Sequence, residues 1–165
     1  MDELADLWQI YTEAFPECER RNFKQQQEVL KNPNYQVKPV YKDNALVGFY
    51  AYWNLDSFIF LEHFAINRKY RGRGYGSRVI KGLTKKTSRR IILEVERPET
   101  PSAEKRIRFY QRMGFKLHPY RYHQPPYQPK QPAVPLLLMS YPTELGPTDF
   151  VQVTRKLYQE VYHVN

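Results

Sequence analysis

Three glycines at alternate positions, Gly72, Gly74 and Gly76, stand in the segment Tyr70-Arg71-Gly72-Arg73-Gly74-Tyr75-Gly76-Ser77. An apolar stretch at 58–66 precedes them and a run with helical spacing follows. Glycine has no Cβ, so such a loop turns tightly and lets a ligand come close to the backbone. The run opening at Gly74 puts Tyr75, Val79, Ile80 and Leu83 on one face, which predicts a helix. Its first turn offers unpaired N–H groups and the positive end of a helix dipole. A phosphate or pyrophosphate suits that position, and Arg71, Arg73 and Arg78 add charge-assisted donors. The spacing excludes two other phosphate loops. The dinucleotide fingerprint needs a wider gap before its last glycine and an acidic residue further on, and a Walker loop needs Gly-Lys-Ser/Thr. On spacing alone, a tight strand-to-helix turn without a ligand fits equally well.

A chain of 165 residues with 41% hydrophobic and 15% aromatic residues is long and apolar enough for one folded domain over 1–165. Cys18 is the one cysteine, which leaves no internal disulfide and points to a reducing compartment. Residues 1–15 are acidic and amphipathic rather than basic and then apolar, so no secretion signal is expected. No apolar run has the length of a membrane span, and a cytoplasmic location is the expectation. The net charge of +9 raises a nucleic-acid reading. Its distribution favours a small polyanion, because residues 68–90 hold ten Lys or Arg and no acid around the glycine loop. Lys81, Lys85 and Lys86 also read as a solvated helix face.

Apolar spacing predicts helices at 2–14, ended by Pro16, and at 21–30, ended by Asn32-Pro33-Asn34. Strands at 37–41 and 46–53 flank the turn Lys42-Asp43-Asn44, and a third strand spans 58–66. Beyond the glycine loop and its helix comes a strand at 90–95. Thr100 reads as an N-cap and Pro101 as the first residue of a helix that stops at Gly114. A strand at 115–117, a proline-rich loop at 119–135, a strand at 136–141 and a helix at 149–162 complete the chain. This order predicts an α/β fold, a mixed sheet with helices on both faces.

Two motifs carry a resemblance. Phe64-Ala65-Ile66-Asn67 leads into Arg71-Gly72-Arg73-Gly74-Tyr75-Gly76, and Arg108-Phe109-Tyr110-Gln111-Arg112-Met113-Gly114-Phe115 follows at the second helix-to-strand junction. In this order and separation they resemble the GNAT superfamily of acetyl-CoA-dependent N-acyltransferases, in particular a group of small bacterial members. The resemblance covers about 37–117. It implies a single-domain GNAT-like fold, with a mostly antiparallel sheet whose middle strands splay apart to admit the acyl arm. It also implies acetyl-CoA as cofactor, CoA as product, and direct attack of a primary amine on the thioester. The backbone of Phe64, Ala65 and Ile66 would pair with the pantetheine. The N–H groups of Arg71, Gly72, Arg73, Gly74, Tyr75, Gly76 and Ser77 would hold the pyrophosphate. Many members carry an asparagine ahead of the tyrosine helix, where this chain has Ser102-Ala103, and Arg106 stands where a small residue is frequent. Ser102 either substitutes for that asparagine or caps the helix.

The resemblance makes Tyr110 the expected acid, since a phenol of pKa ~10 is protonated at neutral pH and can donate to a leaving thiolate. Glu62, on the strand whose backbone would bind the acyl arm, reads either as the base or as a carboxylate that only orients the amine. His63 points to the other face by strand alternation and reads as packing. Glu94 and Glu96 share one face and either line the acceptor pocket or pair with Arg97 or Arg106. Tyr120, Tyr122 and Tyr127 lie in the proline-rich loop and read as a pocket wall, with Tyr127 as a substrate residue, or as a stiffened surface loop. Cys18 has no partner for nucleophilic work and reads as a buried thiol. His118, His123 and His163 lack metal-ligand spacing, so no metal is expected.

The leading expectation is an N-acetyltransferase acting on a small-molecule or protein amine. A non-catalytic CoA-binding regulatory module and a basic nucleic-acid-binding protein are the alternatives. The terminal helix packs on its own sheet or reaches a partner subunit, which leaves a homodimer open.

Overall fold

A computed structural model describes residues 3–164. The expected helix start at Asp2 and the outermost ends of the expected 1–165 domain fall outside that range. The chain runs α1 (Glu3–Ala14), a 3₁₀ turn (Glu17–Glu19), α2 (Phe23–Val29), β1 (Tyr35–Lys42), β2 (Ala45–Leu55) and β3 (Phe58–Ile66). It continues through a second 3₁₀ turn (Arg68–Tyr70), α3 (Tyr75–Lys86), β4 (Arg90–Glu96) and α4 (Pro101–Arg112). The last elements are β5 (Lys116–Leu117), β6 (Tyr122–Gln124), β7 (Val134–Tyr141) and α5 (Pro147–Glu160).

Local chemistry fixes the boundaries. Asn22 and Gln25 form a reciprocal capping box, so α2 begins at Phe23 and Arg21 stays outside the helix, free to turn inward. Asp43 and Asn44 both take positive φ, the geometry of a two-residue hairpin turn between β1 and β2. The Thr100 hydroxyl accepts from the Ala103 N–H, and Pro101 occupies the first turn of α4.

The sheet is ordered β1-β2-β3-β4-β7-β5, with β6 beside the other end of β7. Every pairing is antiparallel except β3 with β4. That parallel pair spans only Phe58–Leu61 against Arg90–Leu93. Beyond it β3 stays bonded to β2 as far as Ile66, and β4 stays bonded to β7 as far as Glu96. The two strands therefore separate past Leu61 and Leu93, which opens a cleft in the middle of the sheet. Two apolar clusters cover the faces. One gathers Ile10 and Tyr11 of α1, Phe60, Leu138, and Phe150 and Leu157 of α5. The other gathers Leu61, Leu93 and Met139 with Ile80 of α3 and Ile107 of α4. Helices α1 and α5 thus contribute to one core. No helix among the described residues is long and apolar enough to cross a membrane.

Three expectations need correction. The 119–135 segment is not all loop, because Tyr122 and Gln124 turn inward and His123 lies between them, making the short strand β6. The flanking prolines mask that brief alternation. His63 does not face away from Glu62. β2 pairs Tyr52 with Leu61 and Ala51 with His63, leaving Glu62 as an extra residue. This bulge breaks the alternation, and the side chains of Glu62 and His63 both meet Tyr127. Cys18 is half-exposed rather than buried.

Candidate active site

The cleft opened by β3 and β4 has a volume of about 600 Å³. One end is the glycine loop. Gly72 and Gly74 take φ of 78° and 84°, and a Cβ at either would meet nothing within 4 Å, so glycine is needed there for conformation rather than room. Gly74 caps α3 without a side-chain bond, and the first intrahelical bond is donated by Arg78 to Gly74. The N–H groups of Tyr75, Gly76 and Ser77 are left for an anion. The Arg71 Nε donates to the Ile66 carbonyl at 2.9 Å, tying the loop to the end of β3.

Most of the residues expected to meet the cofactor lie on the cleft wall: Phe64, Ala65, Ile66, Arg71, Gly72, Gly74, Tyr75, Gly76, Ser77, Ser102 and Arg106. Arg73 does not, and its guanidinium lies over the Tyr70 ring, 5.8 Å from the centroid. The edge of β3 facing the cleft has no strand partner past Leu61 among the described residues, so its backbone is open to an extended ligand. The free amides, the basic loop and the open strand edge fit the pyrophosphate and pantetheine of a CoA thioester.

Tyr110 projects from α4 into the cleft. Its ring packs edge-on against Phe109 and Phe115. Burial pushes its phenol up to about 12, partly countered by Arg106. It is fully protonated at neutral pH.

The two glutamates on the strands that border the gap differ sharply. The Glu62 side chain is wholly buried although the residue lies on the cleft wall, so the cleft meets its backbone at the bulge. Its carboxylate accepts from both terminal nitrogens of Arg21 at 3.0 and 2.9 Å, from the Trp53 indole at 2.8 Å, and from the Tyr127 hydroxyl. Burial alone would raise its pKa. The Arg21 charge, the His63 ring and the hydrogen bonds outweigh burial and hold it below the ordinary carboxylate range.

Glu94 instead faces three neutral donors. Tyr122 and Tyr162 give it their hydroxyls, and Gln124 its amide at 2.9 Å. No cation pairs with it among the described residues. Burial raises its pKa to about 7, with the hydrogen bonds opposing and the Glu62 charge reinforcing the rise. It lines the cleft together with Tyr110. Glu96, two residues on, pairs with Arg106 at 3.7 Å.

The sequence grouped Tyr120, Tyr122 and Tyr127 as one wall, and the structure separates them. Tyr122 serves Glu94, Tyr127 serves Glu62, and Tyr120 packs on Phe150. Arg21, Trp53, Gln124 and Tyr162 complete the site and were not singled out in the sequence. A basic residue just ahead of a capping box, and so released from its helix, was the one available signal for Arg21.

A sheet split by one short parallel pair, with a glycine-capped helix at one end of the cleft and a tyrosine helix beside it, defines an acyltransferase architecture. The acetyltransferase (GNAT) family model matches residues 2–115, and the chain belongs to that family. A GNAT-family protein from Bacteroides thetaiotaomicron is 35% identical, with a TM-score of 0.93 over 98% of this chain and 93% of its own. YjbC of Bacillus subtilis is 38% identical over 78 residues, and the chain spans 40% of that relative's length. Arabidopsis thaliana NAA60, solved with acetyl-CoA, shares the fold at 20% identity and a TM-score of 0.63, over 84% of this chain and 92% of its own.

Proposed function

We propose that this chain transfers an acetyl group from acetyl-CoA to a primary amine by direct attack, with Glu94 as base and Tyr110 as acid. The observation that carries this reading is that the Glu94 carboxyl, held by three neutral donors, and the Tyr110 phenol line the same cleft. The acetyl-CoA complex of NAA60, which shares the fold, supports the choice of cofactor. When bound, acetyl-CoA supplies the thioester whose carbonyl the amine attacks and whose thiolate leaves.

The chain's own groups do the rest. Tyr75, Gly76 and Ser77 hold the pyrophosphate through their N–H groups, and the open β3 edge at Phe64, Ala65 and Ile66 aligns the pantetheine. Glu94 takes the proton that an ammonium must lose before it can attack. A base poised near the working pH is half ionised there and gains the proton on arrival of the amine. Tyr110 donates to the departing sulfur and is reprotonated by the second proton that the nitrogen sheds as the amide forms. Glu62 has a different role. Its carboxylate is committed to four donors and is a weak base, so it fixes Arg21 and Tyr127 and its charge helps keep Glu94 near neutral pKa.

Calorimetric titration with acetyl-CoA, compared with Gly74→Glu, tests the reading. Gly74 takes a φ of 84°, and a carboxylate there adds both strain and repulsion at the anion site. Micromolar binding lost in the variant, followed by amine-dependent thiol release, is the expected result. No binding by the folded wild-type protein would overturn the reading.

A further inference from the structure

Resting on the acetyl-transfer reading, we propose that the acceptor carries a second positive charge, seated against Glu19 and Glu96 while its reacting amine faces Glu94. These three residues line a recess of about 50 Å³ together with His63, Gln124 and Arg106, and the recess shares Glu94 and Arg106 with the cleft wall. Its volume admits one small polar group at a time.

The recess has acceptors in excess. The Glu19 carboxylate makes no ion pair or hydrogen bond among the described residues, although it is partly buried and lies near Glu96. Arg106 is the single cation on the wall among the described residues; it lies 3.7 Å from Glu96 and its charge also acts on Glu19, one cation against three carboxylates. Two further acceptors are fully buried without a donor among the described residues. The Glu19 carbonyl can only accept, so the His63 Nε2 donates to it at 3.0 Å, and the Nδ1 lone pair is left unpartnered. The Gln124 amide nitrogen donates to Glu94 and to Tyr162, which leaves its Oε1 unpartnered as well. His63 and Gln124 are 3% and 4% exposed, so bulk water does not serve them.

An ammonium supplies three donors and the missing charge in one group. A carboxylate would instead add repulsion and leave the same atoms unserved. Residues two apart on a strand stand about 6–7 Å from one another. A four-carbon diamine spans that distance between Glu94 and Glu96.

The test titrates 1,4-diaminobutane, n-butylamine and 4-aminobutyrate into the CoA-loaded protein and follows thiol release with acetyl-CoA for the same three amines. The diamine is expected to bind about tenfold tighter than n-butylamine, the size of effect a partly buried charge pair produces, with 4-aminobutyrate weakest. Glu19→Gln and Glu96→Gln, both isosteric, are each expected to remove most of that preference. Equal binding of the monoamine and the diamine, a preference that survives both variants, or no binding of the diamine would overturn the inference. Turnover of n-butylamine and the diamine with equal efficiency would leave acetyl transfer standing and sink only the second-charge site. Diamine binding to a protein that binds no acetyl-CoA would do the reverse.

Discussion

Arg21 and Glu62, forty-one residues apart, face each other through nitrogen–oxygen contacts of 3.0 and 2.9 Å in a site closed to solvent. The pair joins the segment between α1 and α2 to the bulge where β3 leaves β4. The Arg21 guanidinium also lies over the rings of Tyr35 and Tyr127, at 5.5 and 5.0 Å from their centroids.

Breaking one side of this pair is expected to cost more than neutralising the other. Arg21→Met strands a buried carboxylate and is expected to lower stability by about 3–5 kcal/mol. Glu62→Gln leaves the Arg21 charge unbalanced, but its amide oxygen still accepts from Arg21 and Trp53, so its loss is expected to be smaller. Urea denaturation of both variants decides the order, and an equal loss would contradict it.

The two carboxylates are expected to separate in a pH profile. Glu94 must be ionised to take a proton, so kcat/KM is expected to rise with pH through a midpoint of about 7. Glu94→Gln is expected to lower kcat/KM by about 10²-fold or more and to abolish that rise. Glu62→Gln is expected to retain a rise but shift its midpoint down, because the Glu62 charge is one cause of the high Glu94 pKa. A rise that disappears in Glu62→Gln and persists in Glu94→Gln would exchange their roles.

The same pKa makes a stability prediction of definite sign. A carboxyl whose folded pKa lies above its unfolded value binds more protons when folded, so stability falls as pH rises between the two values. For Glu94 that window is 4.5 to about 7. The full shift corresponds to about 3 kcal/mol, an upper bound because Gln disturbs the bonds from the tyrosines. Thermal unfolding of Glu94→Gln against wild type is therefore expected to show a more favourable difference at pH 8 than at pH 4. A difference that does not change with pH would refute the assignment.

Tyr110→Phe removes a hydroxyl that has no partner among the described residues, so stability is expected to change by less than about 0.5 kcal/mol. If the phenol protonates the leaving sulfur, kcat is expected to fall by about 10²-fold. Acetyl-CoA affinity, measured by titration, is expected to stay within about twofold of wild type. A fall in affinity with kcat preserved would make Tyr110 a packing residue.

The parts of the site read from the sequence are those set by neighbouring residues. The glycine loop and α3, and Thr100-Pro101 opening α4, depend on contacts within a few positions, and they stand where the spacing put them. The contrast between Glu62 and Glu94 depends on distant chain. Arg21 comes from forty-one residues before Glu62, and Tyr162 from sixty-eight after Glu94. Periodicity carries no record of such meetings. The bulge is hidden for a related reason, since Leu61-Glu62-His63-Phe64 still reads as a plausible strand and only pairing with β2 reveals the extra residue. β6 is too short for a pattern of its own and exists because β7 offers it an edge.

The brevity of the β3–β4 pairing divides the sheet into two wings, β1 to β3 and β4 to β7, whose shared backbone ladder covers four residue pairs. Amides at that seam answer to both wings, whereas those of β1 answer to one. Any molecule lying along the cleft bridges the wings. Hydrogen–deuterium exchange at residues 58–60 and 90–92 is thus a reporter of occupancy, slowing when the cleft is filled even though those residues do not line it.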